Sequence, residues 1–305
     1  MAGRILVLGA LGGVGGAVAR AFHEAGWQVS GLVRPGRGGE LPSFCRAVEA
    51  DVFDAAAVVA ASSPQDVVFN GLNVPYHRWR EMAMPIQRAA LEVMARLGAL
   101  HLFPGNVYNF GAGMPERLTT DVVFRPTSEK GRIRVEMEAM FAAAARDGRL
   151  RTVVLRAGDF FGPGAERSWV GQLVAAKLKA GILQAPGAAE TVHAYAYLPD
   201  LARAFVALAD ARERLTPPFE VFHFEGHNVS FRDMTQAAER QLGRSVKVRR
   251  FPRLLMTLAG LFNTQIRAAG EMMYLWDVPH ALVDRRMGEL IGTLPKTELG
   301  VALLA

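Results

Sequence analysis

Ile5-Leu6-Val7-Leu8-Gly9-Ala10-Leu11-Gly12-Gly13-Val14-Gly15-Gly16-Ala17-Val18-Ala19 decides the fold. Four apolar residues of a buried strand run into a glycine-rich turn, and small and apolar residues at helical spacing continue to Phe22. Gly9 permits the tight turn, Gly12 lets a phosphate approach the backbone, and Gly15 lets helix and strand pack closely. An anion then sits on the free N–H groups of the first helical turn, so Leu11, Gly13 and Val14 complete a cradle for a pyrophosphate. Glycines at this spacing are weak evidence alone; the strand before and the helix after make a dinucleotide site the better reading than a structural turn.

Apolar runs of the same strand type recur at Gln28–Val33, Arg46–Ala50, Asp66–Asn70, Ala99–Phe103 and Thr152–Arg156, with helix-compatible stretches between most of them. That alternation predicts an α/β fold, a Rossmann-type doubly wound parallel sheet. Beyond Arg156, Pro163, Pro186, Pro199, Pro217 and Pro218 interrupt shorter elements. The expected division is a dinucleotide-binding domain over 1–165 and a smaller C-terminal substrate lobe over 166–305, interleaved with it on the carboxyl edge of the sheet.

Composition narrows the function. With 305 residues and 50% apolar content, the chain fills a large core and disorder is excluded. The single cysteine, Cys45, makes no internal disulfide and reads as an ordinary thiol in a reducing compartment. The first strand starts almost at Met1, which leaves no room for a signal peptide. Leu254–Ile266 is too short and too interrupted to cross a bilayer of about 30 Å. These features predict a cytoplasmic protein with no membrane partner. The net charge of +6 is scattered, so no nucleic acid is expected; Arg249-Arg250-Phe251-Pro252-Arg253, the densest basic cluster, reads as a solvated loop, or alternatively as a contact for a phosphate-bearing substrate. No metal-ligand spacing and no Gly-x-Ser-x-Gly elbow is present.

Further motifs carry a family resemblance: Ala50-Asp51-Val52, Val107-Tyr108, Leu155-Arg156-Ala157-Gly158-Asp159-Phe160-Phe161-Gly162-Pro163-Gly164, Tyr197-Leu198-Pro199-Asp200-Leu201-Ala202-Arg203-Ala204 and Val221-Phe222-His223-Phe224-Glu225-Gly226. With the glycine motif they resemble the extended short-chain dehydrogenases/reductases, the group of sugar-nucleotide epimerases and dehydratases, over nearly the whole chain. The resemblance implies contacts from Asp51 and Val52 to an adenine. Asn70, Gly71 and Gly158, at or just past strand ends, are further cofactor candidates.

The chain departs from that family where the chemistry lies. Members that transfer hydride carry a Tyr four residues before a Lys on the helix after strand five, and a Ser or Thr just after that strand. Aligned on Pro126 and Glu138, Lys130 stands at the Tyr position and Arg134 at the Lys position, while Pro104 falls at or near the Ser position. The resemblance is therefore to an atypical member. Lys130 and Arg134 are four apart, so a helix places two cations on one face, which disfavours protonation of the lysine. Lys130 is then the candidate for proton transfer, Arg134 for holding the nicotinamide ribose, and Asn106 or Tyr108 for orienting the substrate oxygen. The alternative is a solvated, charge-laced helix face. Tyr108 is a second candidate acid. His193, Tyr195 and Tyr197 alternate along a probable strand and share a face; His193 and Tyr195, with Tyr76 and His77 from the loop after strand four, are the candidates for a substrate wall.

Strand two ends in Gly31-Leu32-Val33-Arg34-Pro35-Gly36-Arg37, where an acidic residue would repel a 2′-phosphate and arginine favours one. This predicts NADP in preference to NAD, with Arg34 as the main clamp and Arg37 as a second. Two function classes follow: an NADP-dependent oxidoreductase or epimerase-like enzyme acting on a small carbonyl, alcohol or sugar-derived substrate, or a non-catalytic NADP(H)-binding sensor. The apolar tail Phe251–Arg286 packs on the lobe, and any surplus stripe there would make a homodimer face.

Overall fold

Parallel strands are buried on both faces, which is why they read as unbroken apolar runs. The computed structural model describes residues 3–62 and 64–305, except for the side chain of Leu255. All six expected strands are present: β1 (Arg4–Leu8), β2 (Gln28–Val33), β3 (Cys45–Glu49), β4 (Val67–Asn70), β5 (Leu100–Gly105) and β7 (Arg151–Arg156). A seventh, β11 (Phe219–His223), joins them, and the order is β11-β7-β5-β4-β1-β2-β3, parallel throughout. The fold is a Rossmann-type α/β sheet.

The helices α1 (Gly13–Glu24) and α5 (Leu198–Asp210) cover one face, burying Phe22 and Phe205 against Ile5, Val7 and Phe69. The other face carries α2 (Ala55–Ala61), α3 (Trp79–Leu97) and α4 (Glu129–Arg146), whose Met94 and Phe141 pack on Leu6, Val68 and Phe103. Strand β1 lies between β2 and β4, so connections leave it in opposite directions and a crevice opens above its carboxyl end.

Three small sheets lie beside the large one, built mostly from the second half of the chain. They are β8 (Asp159–Phe161) with β10 (His193–Tyr197) and β12 (His227–Val229); β9 (Ile182–Ala185) with β13 (Lys247–Arg250); and β6 (Arg117–Leu118) with β14 (Ala281–Leu282). A separate cluster of Phe161, Tyr195, Tyr197 and Met234 forms the core there, with α6 (Phe231–Leu242) over it. Because β11 and α5 also come from this half, the two halves are interwoven.

A buried ion pair ties β7 to α4. Arg156 Nη2 lies 2.7 Å from Glu138 Oε2, both side chains nearly inaccessible, and Glu138 Oε1 also accepts from Asn109 at 3.0 Å. The guanidinium is packed between Phe110 and Phe124. Losing one partner of such a pair costs about 3–5 kcal/mol because a charge is left buried. Cys45 is buried, and burial pushes its thiol up to about 11, which removes it as a nucleophile.

Four buried histidines stand outside any ion pair among the described residues. Burial pushes His101 and His280 down to about 3, and His223 and His227 to about 4, with the Arg156 cation adding to the effect on His223. These groups ionise near pH 6.5 when unfolded. Below that value the unfolded chain takes up protons that the folded chain refuses. Stability in urea should therefore be full above about pH 6.5 and fall as the pH drops toward 4, and His101→Gln should reduce the slope by about 1.4 kcal/mol per pH unit.

Candidate active site

The glycine turn has the geometry its sequence requires. Gly9 has φ +81°, and a side chain on Gly15 would lie 2.2 Å from the Gly9 carbonyl oxygen. Gly12 is extended and caps α1 with no side-chain hydrogen bond, and the first turn holds no acidic residue. The N–H groups of that turn thus lack helical partners. Leu11, Gly12 and Gly13 are exposed and Val14 is half-buried. Gly13 serves a purpose absent from the sequence reading: a Cβ there would lie 1.8 Å from the Gly164 carbonyl oxygen, so Gly162-Pro163-Gly164 closes one side of the cradle. Gly71 lies against Gly9 on the other side, its N–H donating to Leu8.

Two expected cofactor contacts turn inward. The buried Asn70 donates to Gln87 at 2.7 Å and accepts from the Leu72 N–H, which anchors α3. Gly158 is buried because any Cβ there would lie 1.9 Å from the Ala194 carbonyl oxygen; its lack of a side chain admits β10.

At the end of β2, Arg34 is exposed while Arg37 is held by Glu40 through two bonds of 2.6 and 2.5 Å. Glu49 accepts from the N–H groups of Gly36 and Gly38 at 2.7 and 3.1 Å. The sequence reading missed both carboxylates. Glu40 was readable as the i+3 partner of Arg37, whereas Glu49 arrives through the parallel pairing of Val33 with Glu49. Asp51 accepts from the Phe53 N–H at 3.0 Å, Val52 is buried, and Phe53 is more than half exposed beside them.

Ser128 caps α4 by accepting from the Gly131 N–H at 3.0 Å, which fixes Lys130 and Arg134 one turn apart on the helix. Lys130 is no part of a solvated face: its side chain is 4% exposed and its Nζ lies 2.5 Å from Glu271. Glu271 also accepts from the backbone N–H of Glu129 and, at 3.4 Å, from that of Lys130. The expected mutual repulsion with Arg134 is thus answered by a carboxylate from the far end of the chain. Arg134 donates to the Pro104 carbonyl at 3.2 Å and packs between the rings of Trp79 and Phe103, with its Nε buried and unbonded.

Lys130 Nζ lies 5.3 Å from the centre of the Tyr76 ring, and the Tyr76 and Tyr108 hydroxyls share a hydrogen bond of 2.7 Å. Burial raises the pKa of both phenols, that of Tyr108 strongly, and the nearby Asp159 charge adds to the effect. Both therefore stay protonated at neutral pH. Asn106 Oδ1 accepts from the Tyr108 N–H at 3.0 Å, shaping the turn that presents Tyr108. Asp159, another carboxylate the sequence reading missed, lies 2.7 Å from His193 Nε2; the His193 ring in turn meets that of His280 edge-on, with centres 4.2 Å apart. Tyr195 is corrected from pocket wall to core, since it is 2% exposed and packs with Trp169 and Phe161. His77 is exposed, outside the Tyr76–Tyr108–Lys130 cluster. Among the described residues no group of three potential metal ligands occurs.

The family model of the NAD dependent epimerase/dehydratase family matches residues 5–221. The chain belongs to this family. A comparison with curated proteins gives no match. Solved structures with the same fold include a protein designated an epimerase from Burkholderia cenocepacia J2315, with TM-score 0.77, 20% identity and coverage of 99% of this chain and 95% of that one. The UDP-glucuronic acid 4-epimerase of Bacillus cereus in complex with UDP-glucuronic acid and NAD has TM-score 0.71 at 18% identity, covering 98% and 96%. The UDP-glucose 4-epimerase of Bifidobacterium longum in complex with NAD+ and UDP has TM-score 0.71 at 16%, covering 99% and 96%. In this family member, the helix after strand five carries Lys130 and Arg134 one turn apart.

A double-mutant cycle measures the Lys130–Glu271 pair. Glu271→Ala should cost about 1–3 kcal/mol in urea unfolding by leaving a buried cation unpaired, and Lys130→Met in that background should recover most of the loss. Additive losses would show that the two side chains act independently.

Proposed function

We propose that the protein holds a nicotinamide dinucleotide along the carboxyl edge of its sheet and acts as an oxidoreductase or epimerase on a small carbonyl, alcohol or sugar-derived substrate. One observation carries this reading: the uncapped, exposed amino end of α1 at the crevice where the strand order reverses. The epimerase structures that share this fold, and that hold NAD with UDP or UDP-glucuronic acid, make a sugar nucleotide the leading substrate class.

The cradle residues Gly9 and Leu11 to Gly15 hold the two phosphates, and Asp51 with Val52 borders the adenine. Arg134, fixed by Pro104 and two aromatic rings, borders the nicotinamide ribose. The bound nicotinamide supplies reversible hydride transfer. Lys130 supplies the proton: its ammonium stands on α4 where most of the family places a tyrosine, and Glu271 balances the charge. The Tyr76–Tyr108 hydroxyl pair orients the substrate oxygen. A preference for NADP would rest on Arg34, which is exposed at the end of β2 whereas Arg37 is held by Glu40.

A second reading is favoured by the closure of Lys130 beneath Glu271: a protein that binds the coenzyme without consuming it. Absorbance of NADPH against a panel of carbonyl compounds and sugar nucleotides separates the two, since only an enzyme depletes it or interconverts the sugar. Lys130→Met should lower turnover by about 10²–10⁴-fold with coenzyme affinity retained; unchanged turnover removes Lys130 from the chemistry. Arg34→Ala should weaken NADPH binding about tenfold and leave NADH unaffected. Equal affinity of the unmodified protein for NADH and NADPH would contradict the clamp.

A further inference from the structure

From Gly243 to Gly270 the chain has six cations, Arg244, Lys247, Arg249, Arg250, Arg253 and Arg267, and no carboxylate. Within this stretch α7 (Arg253–Phe262) is followed by α8 (Thr264–Gly270). Leu254, Leu258, Leu261 and Phe262 of α7 are exposed, Phe262 to 93%. Their spacing of four, then three, then one residue gathers them into one helical stripe. The adjoining strand β13 exposes Lys247, Val248, Arg249 and Arg250, and Arg267 of α8 is exposed as well. Arg253, held by Asp277 through two bonds of 2.7 Å, fixes the start of the helix.

An apolar stripe of this kind marks a surface that something covers. The surrounding charge selects the occupant. A second copy docked through the same face about a two-fold axis would set cations against cations with no carboxylate from this stretch between them. An anionic bilayer meets both halves of the pattern, because leucine and phenylalanine enter the acyl boundary while lysine and arginine face the headgroups. We propose that α7, flanked by β13 and Arg267, is a membrane-docking face that lies flat on an anionic lipid surface.

The sequence reading excluded a membrane on the length needed to span one, and among the described residues no helix is long and apolar enough to do so. Lying in the interface needs only one apolar stripe with a basic border. The same segment continues through α8 to Glu271, the partner of Lys130, so docking would set that end of the candidate site against the bilayer. The inference stands whether or not the coenzyme is consumed.

Co-sedimentation with vesicles tests it. The full chain should bind vesicles of equimolar phosphatidylglycerol and phosphatidylcholine at low salt, lose most of that binding at high salt, and ignore pure phosphatidylcholine. The pair Leu261→Ser with Phe262→Ser should lower the bound fraction about tenfold, as should Arg249→Glu with Arg250→Glu, while melting temperature and NADPH affinity stay unchanged. No binding to the mixed vesicles overturns the proposal. So does binding that the substitutions leave intact, or a dimer in analytical ultracentrifugation that the serine pair turns to monomer without any vesicle binding.

Discussion

Unpaired backbone N–H groups at the start of α1 are the constraint on which the structure turns. A helix must leave its first donors without helical partners, and here no side chain caps them. Keeping them open demands glycine at Gly9 for the turn, at Gly13 for the approach of Gly164, and at Gly15 for contact with the Gly9 backbone. The reversal of strand order beside β1 then sets this positive end at the mouth of a crevice.

Helix α4 is the second organising element. Its first turn is fixed by Glu271, its second by Arg134 against Pro104, and its middle by the buried Arg156–Glu138 pair. Buried charges are poor sources of net stability but strong determinants of position, because each wrong arrangement strands a charge. Lys130 is thereby held near the ring of Tyr76, whose hydroxyl bonds that of Tyr108 from another segment. An ammonium and two phenol hydroxyls are thus brought together from three segments of the chain at one end of the sheet.

The strands and the glycine turn were legible because they are local: a parallel strand buried on both faces is an apolar run, and its boundaries fall where glycine or polar residues begin. Lys130 and Arg134 were singled out by the family resemblance, aligned on Pro126 and Glu138, and the structure sets them one turn apart on α4. What escaped was contact between distant segments. Glu271 reaches Lys130 across 141 residues, Asp159 meets His193 across 34, and Glu49 arrives by strand pairing. Inward-facing side chains also misled: Asn70 and Tyr195 sit at strand positions bordering the cleft, yet both point into packing. Polarity in a sequence marks a group that needs a partner and does not say whether that partner is protein or ligand.

Gly12→Asp isolates the claim that the amino end of α1 holds a pyrophosphate. Gly12 has negative φ, and a Cβ there meets only the Gly9 carbonyl oxygen, at 3.2 Å, so the variant folds with slight crowding. Its carboxylate would cap the free N–H groups and repel a phosphate. Calorimetric titration with ADP-ribose should show binding to the unmodified protein and none to a Gly12→Asp variant that melts no lower. Equal affinity in both, or none in the unmodified protein, would contradict the account.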